Sequence, residues 1–312
     1  MPALRSPHPQ LYATRPGALP ARFRRERVLL VGCGDVGLRV AQILSPRVRL
    51  LVLTSSPTRV DEFRTRGITP LVGNLDQPAS LRRLSGLATY VVHLAPPPGS
   101  GRQDPRTQAL LSTLCRRAPP QALVYASTSG VYGDCQGEIA LETRATHAET
   151  VRAQRRIDAE NRVRHFGRAR GVRTSTLRIP GIYALNREGG TPRERLLKGT
   201  PVLRPEEDVF TNHIHADDLA RACVAALWRG WHGRVVNVND DSCLKMGDYF
   251  DLAADLFGLP RPPRVSREGA QNQLPLMLLS FMGESRRMDN TRLKKELRLK
   301  LRYPTVQTGL SG

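Results

Sequence analysis

The chain has 312 residues, an ordinary apolar share and a formal charge of +20 carried almost entirely by arginine. That length suits one large α/β unit or two lobes around a common core, and no apolar run approaches the length of a membrane span. The charge would draw polyanions or anionic metabolites, but no helix-turn-helix, finger or aromatic-interleaved motif accompanies it, so specific nucleic-acid binding is not expected.

Residues 1–26 hold prolines and arginines without sustained periodicity and read as a flexible basic tail. Their acid-poor character also resembles a transit peptide, and they contain no apolar core of a secretory signal. From Arg27 the pattern becomes regular. "RVLLVG" is a buried-strand run, "VGLRVAQIL" has helical spacing and "VRLLVLT" is a second strand. "RVDEFRTRG" reads as a helix stopping at Gly67, "ITPLVG" as a third strand, "PASLRRLSG" as a short helix and "ATYVVHLA" as a fourth strand. The helix "RTQALLSTLCRRA" precedes a fifth strand, "QALVYAST". A long polar helix is expected over 148–166, then a sixth strand, "VRTSTLRI". After Pro180 the alternation loosens: "GTPRERLLKG" is a short helix, "DVFTNHIHADDLARACVAALWRG" a strand and a helix, "RVVNVND" a strand, and "KMGDYFDLAADLFG" a helix with a glycine stop. "DNTRLKKELRLKLRYP" reads as a last amphipathic helix and an extended end. Strands alternating with helices in this way predict an α/β fold, a doubly wound parallel sheet of six or seven strands. Residues 27–180 would form its core, and 181–312 a small C-terminal lobe over the strand ends whose strands and helices also complete the core.

Gly32-Cys33-Gly34-Asp35-Val36-Gly37 follows the first strand and opens the first helix, the context that makes a glycine turn a dinucleotide site. Gly32 permits the bend, Gly34 lets the backbone approach a pyrophosphate, and Gly37 allows close helix-to-strand packing. The free amides and the dipole of the new helix, starting at Asp35 and Val36, then face the phosphates. The second strand ends in Thr54-Ser55-Ser56-Pro57-Thr58-Arg59, with no acid before Asp61. Hydroxyls at Thr54 and Ser55 and the guanidinium of Arg59 suit a 2′-phosphate, which favours NADP over NAD. The five cysteines are far apart and form no C-x-x-C pair, which fits a reducing cytosol rather than zinc or disulfides; Cys33 reads as a small filler. His213 and His215 with Asp217 and Asp218 lack a clear third ligand of metal type, so no metal is expected. Glu138 and Glu142 read as part of an exposed loop over the site.

Together "VGCGDVG", "GNLD", "VVHLA", "VYASTSGVYGD", "LRIPGIY" and "NHIHADDLA" resemble the extended short-chain dehydrogenase/reductase superfamily of NAD(P)-dependent epimerase/dehydratase type, a Rossmann fold, from about Arg27 to the C-terminus. The resemblance implies that Asn74 and Leu75 lie beside the adenine, that Leu94, Ala95 and Pro96 run along the cofactor, and that Pro180 to Ile182 approach the nicotinamide. It also implies a Ser/Thr, a Tyr and a Lys, the last two as Y-x-x-x-K. Thr128 matches the hydroxyl position. The long helix instead reads "TVRAQRRIDAEN", which puts Arg152 at the tyrosine position and Arg156 at the lysine position. Arginine can fix an anion but does not titrate as an acid. The pattern is most similar to the atypical, YeeZ-like branch.

Two functions follow. The first is a cytoplasmic oxidoreductase or epimerase-like enzyme acting on a hydroxyl or carbonyl of a small, sugar-derived or anionic substrate. Thr128 would orient the substrate, Arg156 and Arg152 would bind its charge, and Tyr132 or water would handle the proton, a packing role being the alternative for Tyr132. The second is a non-catalytic sensor or scaffold that binds NADP(H). The long helix could also pair with its copy in a homodimer.

Overall fold

A computed structural model describes residues 26–311; the expected basic tail lies outside these except for Glu26. Seven parallel strands form one sheet: β1 (Arg27–Val31), β2 (Arg49–Thr54), β3 (Thr69–Val72), β4 (Tyr90–His93), β5 (Ala122–Thr128), β6 (Arg173–Ile179) and β7 (Arg234–Asn237). Their spatial order is β7-β6-β5-β4-β1-β2-β3. The central strands are covered on both faces, which is why they read as unbroken apolar runs: Val28 to Val31, Val91, Val92 and Leu123 are fully buried. Pro70 falls in β3, an edge strand, the place in a sheet where proline is tolerated.

The main helices are α1 (Asp35–Leu44), α2 (Val60–Thr65), α3 (Pro105–Leu114), α4 (Val151–Arg170), α5 (Arg193–Leu197), α6 (Ala216–Arg229) and α7 (Met246–Phe257). One face of the sheet buries Val40, Ala41 and Leu44 of α1 against Leu219, Ala222 and Leu227 of α6. The other buries Leu110 and Leu114 of α3 with Ala159, Val163 and Phe166 of α4. A third cluster forms the lobe over the strand ends, with Leu196, Val202, Met246, Phe250 and Val306 at its centre.

Three expected elements differ. The long helix runs 151–170 rather than 148–166, because the Thr150 hydroxyl accepts the Ala153 amide (3.2 Å) at its start and Gly171 closes it in the left-handed region (φ 64°). "PASLRRLSG" is a 3-10 segment, Pro78–Leu84. The last amphipathic helix shrinks to Thr291–Lys295, after which the chain turns, with Arg298 at φ 49°, and Leu297, Leu299 and Leu301 pack against the first core. Among the described residues no helix is long and apolar enough to cross a membrane.

Candidate functional site

The strand order reverses between β4 and β1, and a doubly wound sheet takes its ligand in the crevice at such a point. The glycine turn lies there. Gly32 sits at φ 90°, and a Cβ on it would come within 2.3 Å of the Ala95 amide nitrogen. A Cβ on Gly37 would meet the Gly32 carbonyl at 2.9 Å. The fold therefore needs both glycines. Gly34 is different: its φ of −82° suits any residue, and a Cβ there would meet nothing within 4 Å. The space beside it is what a pyrophosphate approaching the backbone requires, so the turn fits a dinucleotide on its own geometry. No side chain caps α1, whose first amides stay available.

The surroundings of the turn are fixed by charge. Burial pushes the Asp35 carboxyl up, but ion pairs to Arg39 (3.1 Å) and Arg187 (2.7 Å) hold it below the ordinary range. Val36 packs on the first core. Burial drives the Cys33 thiol up to about 11, so it stays a thiol, in keeping with a filler. The Thr54 hydroxyl is buried and bonded to Ser56 across the turn (3.2 Å), while Ser55 is exposed. Arg59 is more than a solvated helix residue. Its guanidinium donates to the Cys33 carbonyl (2.8 Å), pairs with Glu62 (2.9 Å) and lies over the Phe63 ring, so it ties the end of β2 to the glycine turn.

Asn74 forms an Asx turn, its side-chain oxygen accepting the Asp76 amide (2.9 Å), and Leu75 packs on the second core. Asp76 pairs with Arg106 (2.6 Å), which also reaches the Pro96 carbonyl (3.3 Å). The Leu94 and Ala95 amides both donate to the Val31 carbonyl (2.7 and 3.0 Å), holding this segment against the glycine turn.

A cavity of about 770 Å³ opens between the sheet ends and the lobe. It brings together Pro96, Thr128, Arg152, Arg156, Pro180 and Ile182. Thr128 ends β5, and its hydroxyl accepts the Gly130 amide (3.4 Å). Arg156 is clamped by the Ala126 carbonyl (2.6 Å) and the Tyr125 hydroxyl (3.2 Å), so α4 presents a fixed cation at the head of β5. Arg152 lies one turn earlier on the same wall.

Tyr132 does not belong with them. It is fully buried in a separate cluster, its hydroxyl donates to Asn237 (2.7 Å), and burial raises its pKa. The expectation that it handles the proton is corrected: the ring packs under Arg178 (4.6 Å), behind the cleft. Glu142 is also not on an exposed loop; it is buried, accepts the Asn237 amide (3.0 Å) and faces Arg292 (3.4 Å). Glu138 is exposed and paired with Arg144 (2.8 Å). His215 accepts the Asp217 amide (3.2 Å), and Asp218 accepts the Arg302 and Tyr303 amides (both 2.9 Å), pinning the C-terminal segment to α6. Among the described residues no group of three metal-ligating side chains forms.

Several lining residues carried no signal in the sequence: Arg155, Arg187, Arg195, Tyr249, Glu284 and Arg286. Apart from Arg155, which lies on α4 with Arg152 and Arg156, they come from separate segments of the chain. With Arg152 and Arg156, four of them make six arginines around the cavity among the described residues, against Glu284 as the one carboxylate of these, itself paired with Arg286 (2.7 Å). The lining is therefore strongly cationic.

The chain is similar over 92% of its length, and 97% of the other, to a conserved protein of unknown function from Silicibacter pomeroyi, with 27% identity and a TM-score of 0.75. It is similar in fold to the UDP-glucose 4-epimerase of Thermotoga maritima solved with UDP-glucose, with 19% identity, a TM-score of 0.75 and coverage of 91% and 96%. It is also similar in fold to MoeE5 in complex with UDP-glucose and NAD, with 21% identity, a TM-score of 0.71 and coverage of 91% and 96%. A comparison with curated proteins finds no match. The model of the NAD dependent epimerase/dehydratase family matches residues 28–239, which takes in the glycine turn, all seven strands of the sheet and the α4 wall of the cavity; the chain belongs to that family.

Proposed function

We propose that this protein is a nicotinamide-dinucleotide-dependent oxidoreductase or epimerase acting on a hydroxyl or carbonyl of a small, anionic, sugar-derived substrate. The observation that carries it is two neighbouring features, the glycine turn and a cavity, linked by the ion pair of Asp35 with the lining residue Arg187 (2.7 Å). An open glycine position lies at the switch point of the sheet, and next to it a cavity is lined by six arginines and one carboxylate. Two family-like structures described above hold UDP-glucose, one of them with NAD, which supports a sugar-type anionic substrate and a nicotinamide cofactor.

Gly32, Gly34, Gly37 and the first amides of α1 would hold the pyrophosphate, Asn74 and Leu75 the adenine side, and Pro180 and Ile182 the nicotinamide side. The Arg59 guanidinium at the glycine turn supports a preference for NADP. When bound, the cofactor supplies a hydride acceptor or donor. Thr128 orients the substrate oxygen with its hydroxyl. Arg156, held by the Ala126 carbonyl, places an anionic group of the substrate. Water in the open cleft carries the proton, since α4 offers no tyrosine and Tyr132 is buried behind the site.

The buried Tyr132 hydroxyl also favours a second reading, a binding protein for NADP(H) without turnover. One experiment separates them: purified protein is titrated with NADPH and NADH, then assayed for cofactor consumption against nucleotide-sugar and carbonyl substrates. Binding with turnover supports the first reading, binding without turnover the second, and no binding removes both.

A further inference from the structure

We propose that Arg195 is a specificity-determining residue that holds an oxyanion of the substrate, a carboxylate or a phosphate. The inference rests on reading the cavity as a substrate site. Buried Leu196 anchors the short helix α5 in the lobe core, and this fixes Arg195 at the cavity wall. Its guanidinium lies 4.3 Å over the Phe250 ring. Nε and Nη2 are buried, yet neither has a hydrogen-bond partner among the described residues. Among the described residues no carboxylate pairs with it, and burial lowers its pKa, with the nearby Tyr249 opposing.

Neighbouring arginines of the cavity are placed differently. Each has an acceptor: Arg156 the Ala126 carbonyl (2.6 Å), Arg155 the Gly101 carbonyl through Nη1 (2.7 Å) although its Nε is also unpartnered among the described residues, Arg187 Asp35 (2.7 Å) and Arg286 Glu284 (2.7 Å). Among the described residues the Nε and Nη2 of Arg195 have no such acceptor, and its guanidinium lies over the face of Phe250. A guanidinium taken out of water without an acceptor destabilises a fold. Its planar fork, however, matches the two oxygens of a carboxylate or phosphate, and the low local dielectric strengthens that pairing. Beside it, His213 lines the same cavity, stacked on Tyr249 (4.1 Å), with its own Nδ1 buried and unpartnered. Both features describe a wall whose polar groups are completed by a ligand.

The opposing account is that Arg195 only packs on Phe250, a role methionine fills equally well. The test uses the full chain, the variants Arg195→Met and Arg195→Lys, and Arg229→Met as an exposed control. Inorganic phosphate and malonate are titrated separately by calorimetry, and thermal midpoints are measured without ligand. Phosphate and malonate distinguish the two oxyanion sources. Wild type is expected to bind at least one of them, Arg195→Met to lose at least tenfold in affinity for it, and Arg195→Lys to fall between. The ligand-free midpoint of Arg195→Met is expected to rise by about 2–4 °C, since it sheds an unpaired buried charge. Arg229→Met should change neither quantity. Binding by Arg195→Met equal to wild type, a fall in its midpoint, or no binding by wild type overturns the proposal. NADPH titrated into the same samples keeps the two readings apart: Arg195→Met should retain wild-type NADPH affinity. If wild type binds no NADPH, the cofactor reading fails while the phosphate and malonate isotherms still decide Arg195.

Discussion

Gly34 and Gly32 look alike in the sequence and differ in what they do. At Gly34 the protein leaves space, so Gly34→Val should fold with a thermal midpoint near that of wild type and lose dinucleotide affinity by more than tenfold, measured by fluorescence titration. At Gly32 the chain is left-handed and presses on Ala95, so Gly32→Ala should lower the thermal midpoint by several degrees. A Gly34→Val protein that binds NADPH as wild type does would show that the turn serves only the fold. Arg59 touches the glycine turn through the Cys33 carbonyl, and its charge is shared with Glu62. Arg59→Ala should therefore weaken NADPH more than NADH; equal loss for both would assign it to holding the turn. Thr128→Val removes a hydroxyl at nearly constant volume. In an enzyme it should cut turnover at least tenfold with little change in cofactor affinity, and in a sensor it should change neither.

At the scale of elements, α4 carries both the departure from the family pattern and a buried ion pair. Glu160 on α4 binds Arg178 of β6 (2.8 Å), with both side chains almost fully buried, and also accepts the Ser127 hydroxyl (2.5 Å). Glu160→Gln leaves the guanidinium uncompensated and should cost about 3–5 kcal/mol in chemical denaturation; a loss below about 1 kcal/mol would contradict this account of how α4 is fixed to the sheet. Restoring the family residues with Arg152→Tyr and Arg156→Lys should not raise native turnover, because the site is built around cations; a large rise would identify a damaged conventional dehydrogenase. The sheet was legible in the sequence because its central strands β1, β2 and β4 are apolar runs set apart by turns, and β1 with its turn could be read residue by residue. The α4 boundaries were off by three or four residues because a helix that buries Arg155 and Glu160 shows no clean apolar stripe. Tyr132 was misplaced because the turn from Ser129 to Tyr132, which follows the legible strand β5, rotates the ring away from the cleft. Arg195 and Arg286 were not legible at all, since nothing local marks which arginines of so basic a chain close on one cavity.

Across the whole molecule, part of the stability depends on pH through a buried carboxyl just beyond the sheet. Asp240 follows β7; its carboxylate accepts the Ser242 amide (2.9 Å), and burial pushes its pKa up to about 7. The folded chain then keeps a proton that the unfolded chain releases near pH 4, so this stability is present below that pH and is lost as pH rises towards 7. Asp240→Asn should flatten that part of the profile, gaining on wild type at pH 8 relative to pH 4; parallel profiles would place the charge in water instead. The excess of arginine at the cavity and the open glycine at the switch point make one claim together, that this crevice holds a nicotinamide dinucleotide beside an anionic substrate. Its most direct test is titration of the purified full chain with NADPH and NADH, followed by fluorescence or calorimetry. Saturable binding at one site per chain, tighter for NADPH and abolished in Gly34→Val, is the result predicted here; absence of binding to either dinucleotide by the wild-type chain would contradict it.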